Sequence, residues 1–299
     1  MNTHATLTYV YAVTRPTSRL AEALATLQGI GGAPVRLLLP GPPTGAGADP
    51  DAGRGAPTAS GAVPAAPAFA ASEVPESDFN EHALKNHFED LEWLEHVART
   101  HHDVVQALAA HATVLPLRMA TVYQDEGRAR HVLTAQRHAF ARRLDELDAH
   151  TEYGVKIYLT APTATAGTRT GEGAEATRTA PAGPGKAYLH ARRAQHHARE
   201  AVYQQARQAA ATIEAIAARH ATGHVRHAPQ SGALTGPQEN VLNDAYLVPD
   251  HQAEPFRNAI VDAAGDFPDL RIEVTGPWAP YSFAMPAPDS PPDPQEPPP

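Results

Sequence analysis

The alternation of apolar and polar positions divides the chain into strands and helices. Residues 7–13 (LTYVYAV) are β-branched or aromatic almost throughout and predict a first strand. Leu20, Leu24 and Leu27 lie one helical turn apart and predict a helix over 19–27. Gly29, Gly31 and Gly32 end it. Residues 34–39 and 66–74 predict the next strands. A single long helix is expected to start at Ser77 or Asp78, with Leu84, Phe88, Leu91, Leu94, Val97, Val104 and Leu108 on one stripe and His101 on the same line. A short strand over 113–117 follows, and then a helix over 125–148 whose inner face is Leu133, Phe140, Leu144 and Leu147.

The second half is more regular. Residues 153–159 predict a strand, and 186–219 an Ala-rich helix with Tyr203, Ala206, Ala210, Ile213 and Ala217 aligned. Strands over 224–229 and 241–248, a helix over 251–264 and a last strand over 269–275 complete the order β-α-β-β-α-β. That order is the ferredoxin-like arrangement. Between these elements lie 40–64, with 6 Pro and 6 Gly, the Ala/Thr/Gly-rich 161–185, and 284–299, with 8 Pro. They offer too little apolar surface to offset their ordering entropy and are expected to be disordered. The expected class is α+β with two domains. Residues 1–124 form an N-terminal α+β domain, 125–150 a linking helix, 151–283 a ferredoxin-like C-terminal domain and 284–299 a Pro-rich tail.

Composition narrows the function. The net charge of −9 argues against a general nucleic-acid binder. With no cysteine, disulfides, Cys nucleophiles, iron–sulfur clusters and Cys-based zinc sites are excluded. No apolar run approaches the roughly 20 residues of a membrane span, and the opening residues lack the pattern of a secretion signal. The expected compartment is therefore the cytoplasm.

No catalytic constellation emerges. None of the serines has Gly at both flanking second positions, and Gly183-Pro184-Gly185-Lys186 lacks the first Gly and the final Ser or Thr of a phosphate loop. Among the 17 histidines, His220, His224 and His227 form the best metal-like cluster, but Gly223 interrupts it, so polar surface histidines are the preferred reading. His101 reads either as a catalytic or switch histidine or as a buried, hydrogen-bonded one, and the second is preferred because no partner nucleophile can be named. Arg192, Arg193 and Arg199 with His190, His196 and His197 make a basic start to the Ala-rich helix. The expected third strand lacks the stacking aromatics of an RNA-recognition module, so a solvated face is preferred there. No catalytic residue, cofactor or metal is expected.

The most distinctive segment is Gly276-Pro277-Trp278-Ala279-Pro280-Tyr281-Ser282-Phe283. It resembles the aromatic ending of the gas vesicle GvpL/GvpF family. Tyr9 to Val13, Gly29-Ile30-Gly31-Gly32, Leu94 to His101, Val114 to Arg118, Glu152 to Lys156, Gly185 to Leu189 and Asp244 to Val248 match in the same order. Ala279 departs from the usual second Pro of the ending, and Met119-Ala120 from an aromatic and Gly. The resemblance implies two α+β domains, the second ferredoxin-like, and a non-enzymatic role in assembling gas vesicles in prokaryotes. It implies binding to the small apolar shell protein and to other accessory gas vesicle proteins, and leaves self-association open. An accessory that delays shell-protein aggregation needs a mixed aromatic and polar surface. The candidate residues are Trp93, His96, Arg99 and His101 in the long helix and Trp278, Tyr281 and Phe283 in the ending, expected near the domain junction. A different class of function, small-molecule sensing by a ferredoxin-like domain, is the alternative.

Overall fold

The computed structural model describes residues 5–41, 65–87, 89–160, 184–230 and 238–284. The Pro/Gly/Ala-rich segments 40–64, 161–185 and 284–299 therefore lie outside the described residues except at their edges, as does Phe88. The chain forms two compact units, residues 1–151 with 278–299, and residues 152–277.

In the first unit, β1 (Thr6–Thr14) is central and buried along most of its length. It pairs antiparallel with β3 (Ala68–Pro75), which pairs with β2 (Arg36–Leu38). On its other side β1 meets β4 (Val114–Pro116) and β5 (Val122–Tyr123) in succession. The two-residue β5 carries too short a pattern to be read from sequence. α1 (Ser18–Leu24) is capped by the Thr17 side chain.

The long helix expected from Ser77 is three helices, α2 (Glu76–Phe79), α3 (Glu81–His87) and α4 (Leu91–Ala109). Asn80 accepts from the Ala83 N–H, and Asp90 accepts from the Glu92 and Trp93 N–H groups. Each is a side-chain cap that restarts a helix where one apolar stripe suggested continuity. The helix expected over 125–148 is likewise two, α5 (Glu126–Ala135) and α6 (Arg137–Glu146), divided at Gln136. They are not a free-standing link: α5 contacts β2 and β5, and α6 contacts β4.

The second unit is built from β6 (His150–Leu159), α7 (Pro184–His220), β7 (Gly223–Arg226), β8 (Glu239–Pro249), α8 (Ala253–Ala264) and β9 (Leu270–Trp278), of which His150, Thr151 and Trp278 belong to the first unit. The sheet order is β7-β8-β6-β9. Val155, Ile157, Tyr246 and Val248 of the sheet pack with Ala209 and Ile213 of α7 and Phe256 and Ile260 of α8. The small residues of α7 are the ones that meet the sheet. β9 continues through Gly276-Pro277 to Trp278, beyond the end expected near 275. Gly276 has φ +124°, and a Cβ there would lie 2.9 Å from the Glu152 carbonyl oxygen.

One carboxylate is fully buried in this unit. Asp244 on β8 accepts from Arg226 Nε and Nη2, both at 3.1 Å, and from the Tyr246 hydroxyl, and lies 2.9 Å from His224 Nε2. His224 also stacks on Tyr246, with ring centroids 4.8 Å apart, while His220 bonds Gln252. His220 and His224 thus have separate partners. Removing the guanidinium from a buried carboxylate should be costly. Arg226→Ala is expected to lower stability by about 1–3 kcal/mol in urea titration. Arg36→Ala, which removes a half-exposed pair with Glu73 and Glu126, should cost under about 1 kcal/mol.

Candidate partner-binding surface

Tyr9 and Tyr11 project from the same face of β1, as residues two apart on a strand do. Their rings are 4.8 Å apart and fully buried beneath α4. A buried hydroxyl needs a partner. Tyr11 Oη accepts from the Ile30 N–H at 2.9 Å and bonds Ser72 Oγ at 2.8 Å. Gly29 makes this approach feasible, since a Cβ there would lie 2.2 Å from Tyr11 Oη. Tyr9 Oη accepts from the Ala120 N–H at 3.0 Å and lies 2.9 Å from His101 Nδ1. The Tyr9 hydroxyl and His101 Nδ1 bond each other, the direction following from the histidine tautomer.

His101, 4 % exposed, is therefore a polar member of the first core. Burial pulls its pKa down to about 4. The Leu117 carbonyl, close by but outside hydrogen-bond geometry, opposes this, and His102 adds slightly to the fall. Burial also pushes the Tyr9 and Tyr11 hydroxyls up.

The closing segment packs on the outer side of the same helix. The Ala279 N–H donates to Gln106 Oε1 at 2.6 Å, and Arg143 of α6 donates to the Phe283 carbonyl. Ala279, Pro280 and Phe283 are buried. The Tyr281 ring lies 6.4 Å from His101 and 6.0 Å from His102, and the Trp278 ring lies 5.6 Å from His102. Trp278 remains 37 % exposed.

All seven candidate residues belong to the first unit. The structure brings His101, Tyr281 and Trp278 to one stretch of α4, but His101 and Phe283 are internal. Trp93 is half-buried between Phe79 and His87, with centroid distances of 5.4 and 4.4 Å. His96 and Arg99 are exposed, and Arg99 pairs with Glu95. His102 and Gln106, which hold the ending, were not singled out by sequence. Their positions three and seven residues from Arg99 on a helix are the signal that could have found them.

Because His101 binds its proton more weakly when folded than when unfolded, the unfolded state takes up the extra proton between about pH 6.5 and 4. The penalty is absent above pH 6.5 and complete below pH 4, where it reaches about 3 kcal/mol. His101→Gln should flatten that part of the stability–pH curve relative to the unsubstituted chain, measured by denaturant unfolding at each pH. Tyr9→Phe leaves both His101 Nδ1 and the Ala120 N–H without their partner, and is expected to cost about 1–3 kcal/mol at pH 7.

Comparison with known proteins adds the family. Residues 7–285 match the family described as gas vesicle synthesis protein GvpL/GvpF. The chain is 37% identical over 279 residues to gas vesicle protein L of Streptomyces sp. (strain CB03234), covering 93% of this chain and 92% of that one. It is 40% identical over 43 residues to gas vesicle protein F1 of Halobacterium salinarum, covering 14% of this chain and 20% of that one. Its fold is similar to the crystal structure of GvpF from Anabaena sp. PCC7120, with a TM-score of 0.56 at 16% identity, covering 94% and 96% of the two chains. GvpF from Microcystis aeruginosa gives a TM-score of 0.54 at 16% identity, covering 93% and 99%. The match along nearly the whole sequence, ending included, means that this chain belongs to the GvpL/GvpF family and has an accessory role in gas vesicles.

Proposed function

We propose that this chain is a non-enzymatic assembly factor, acting in the prokaryotic cytoplasm, that binds the apolar gas vesicle shell protein and other accessory gas vesicle proteins. Its second unit is read as ferredoxin-like, a reading supported by the element order β-α-β-β-α-β and the sheet order β7-β8-β6-β9.

The observation that carries the binding role is Trp278. The segment around it is buried and bonded, yet its largest apolar ring is left partly in water beside His102. One turn back along α4 lie Arg99 and Glu95, and then Leu91, 78 % exposed. An aromatic next to mixed polar and apolar positions is the kind of surface that anchors a partner. In this reading Trp278, Arg99, His96 and Trp93 meet the client, while His101, Tyr281 and Phe283 hold the segment in place.

A specific observation also supports the sensor reading. A cavity of about 650 Å³ in the second unit is lined by Tyr203, Ala206, Arg207, Glu239, Val241 and Leu242, among others. A ligand there would raise the melting temperature by mass action.

Co-expression with the shell protein tests the main reading. The shell protein is expected to stay soluble and co-purify with the tagged chain. Trp278→Ala should reduce the co-purified amount several-fold while shifting the melting temperature by less than about 2 °C, since it removes a surface ring. Tyr281→Ala should lower the melting temperature instead. Unchanged aggregation of the shell protein, with nothing co-purifying, would remove direct client binding.

A further inference from the structure

Among the described residues, the first half of α7 adds no side chain to a core. The helix is 37 residues long, about 55 Å, but its contacts with the second unit's core begin only at Val202 and Ala206. Every described side chain from Tyr188 to Ala201 is exposed. A helix that is polar on all sides and lacks tertiary support is marginal in water. The stretch is supported by contacts of Glu200 with His196 at 3.5 Å and His197 at 3.4 Å, and at its inner end by Arg199 with Tyr203 and Glu239.

The stretch is also chemically unlike the rest of the chain. It carries Arg192, Arg193 and Arg199, three histidines and a single Glu, in a protein of net charge −9. Arg199 is engaged by Tyr203 and Glu239. Arg192 and Arg193 make no ion pair among the described residues. At the helix start Tyr188 and Leu189 are 62 % and 54 % exposed.

A complementary surface is present on the same chain. Residues 73–95 hold eight carboxylates against one lysine. Glu76, Glu81, Glu89, Glu92 and Glu95 are exposed there, around the exposed Leu91. Basic residues next to an apolar tip thus match acidic residues next to an apolar side chain, which favours encounter and register.

We infer that the first half of α7 is a docking arm for a second copy of this chain, with Arg192 and Arg193 of one copy against the Glu89 and Glu92 face of the other. A reciprocal exchange of the two arms is the closed, two-fold form of such pairing. The acidic face shares Leu91 and Glu95 with the surface proposed for the client, but the inference uses neither Trp278 nor the shell protein, so the two readings are tested separately.

Sedimentation equilibrium of the full chain tests it. At low salt the mass should rise with concentration from 31.7 kDa towards twice that value, and raising the salt to about 0.5 M should return it to one chain, because exposed pairs are screened. Arg192→Glu with Arg193→Glu should abolish the rise while leaving helicity unchanged by circular dichroism. Glu89→Lys with Glu92→Lys should do the same, and Glu89→Gln with Glu92→Gln should weaken the rise if the lysine pair loses helicity. Combining both charge reversals in one chain should restore pairing. A single-chain mass at every concentration would overturn the inference, as would pairing that ignores the reversals or is not restored by combining them. Capture of a nucleic acid or another acidic protein by a chain that stays single would overturn it as well.

Discussion

The first unit depends on satisfying polar atoms that β1 carries into its own core. Two tyrosine hydroxyls sit beneath α4, where an unbonded hydroxyl would cost about 1–3 kcal/mol. Four segments far apart in sequence supply the partners: the turn at Ile30, Ser72 on β3, the turn at Ala120 and His101 on α4. Each must adopt a particular local form to do so. Gly29 has no Cβ because Tyr11 Oη occupies that space, and Ala120 takes φ +63° at the turn whose N–H meets Tyr9. The tyrosine pair thus constrains loops that share no apolar pattern with it. A buried polar network of this kind selects one arrangement where apolar packing alone would accept several.

Much of the fold was legible because its elements carry one-sided patterns. β1, β6, β8, α7 and α8 each have enough apolar residues at one period to be recognised. What failed was continuity. The stripe through Leu84, Leu91 and Leu108 suggests one helix across Asp90, yet the Asp90 side chain bonds the backbone and restarts the helix, and Leu91 in its first turn faces solvent. Periodicity is blind to such a cap. Gln136 divides α5 from α6 with the inner leucines still aligned. The placement of the ending in the first unit was also hidden, since it depends on Gln106 and Arg143, polar residues with no motif of their own.

The candidate surface was legible as a set of aromatics but not as a geometry. Sequence marks Trp278, Tyr281 and Phe283 as large and apolar, and spacing cannot say which of them turns inward. The structure divides them by their neighbours: Phe283 joins the core and Tyr281 lies over His101 and His102. His101 divides from His96 in the same way. The two are five residues apart on α4, which on a helix puts them on different faces.

That division bears on function. Folding needs the buried part of the ending, because its backbone is bonded to two helices and its small and aromatic side chains complete a core. Folding has little need of a tryptophan whose ring is one-third in water; a smaller residue there would leave those bonds intact. The proposed binding role accounts for the exposure of a large apolar ring on a segment otherwise held by the core through a contact outside the chain. In the reading proposed above, that contact is another gas vesicle component. The rigid backing from Gln106 and Arg143 then has a purpose of its own: it presents the ring without the entropy loss that a flexible tail would incur on binding.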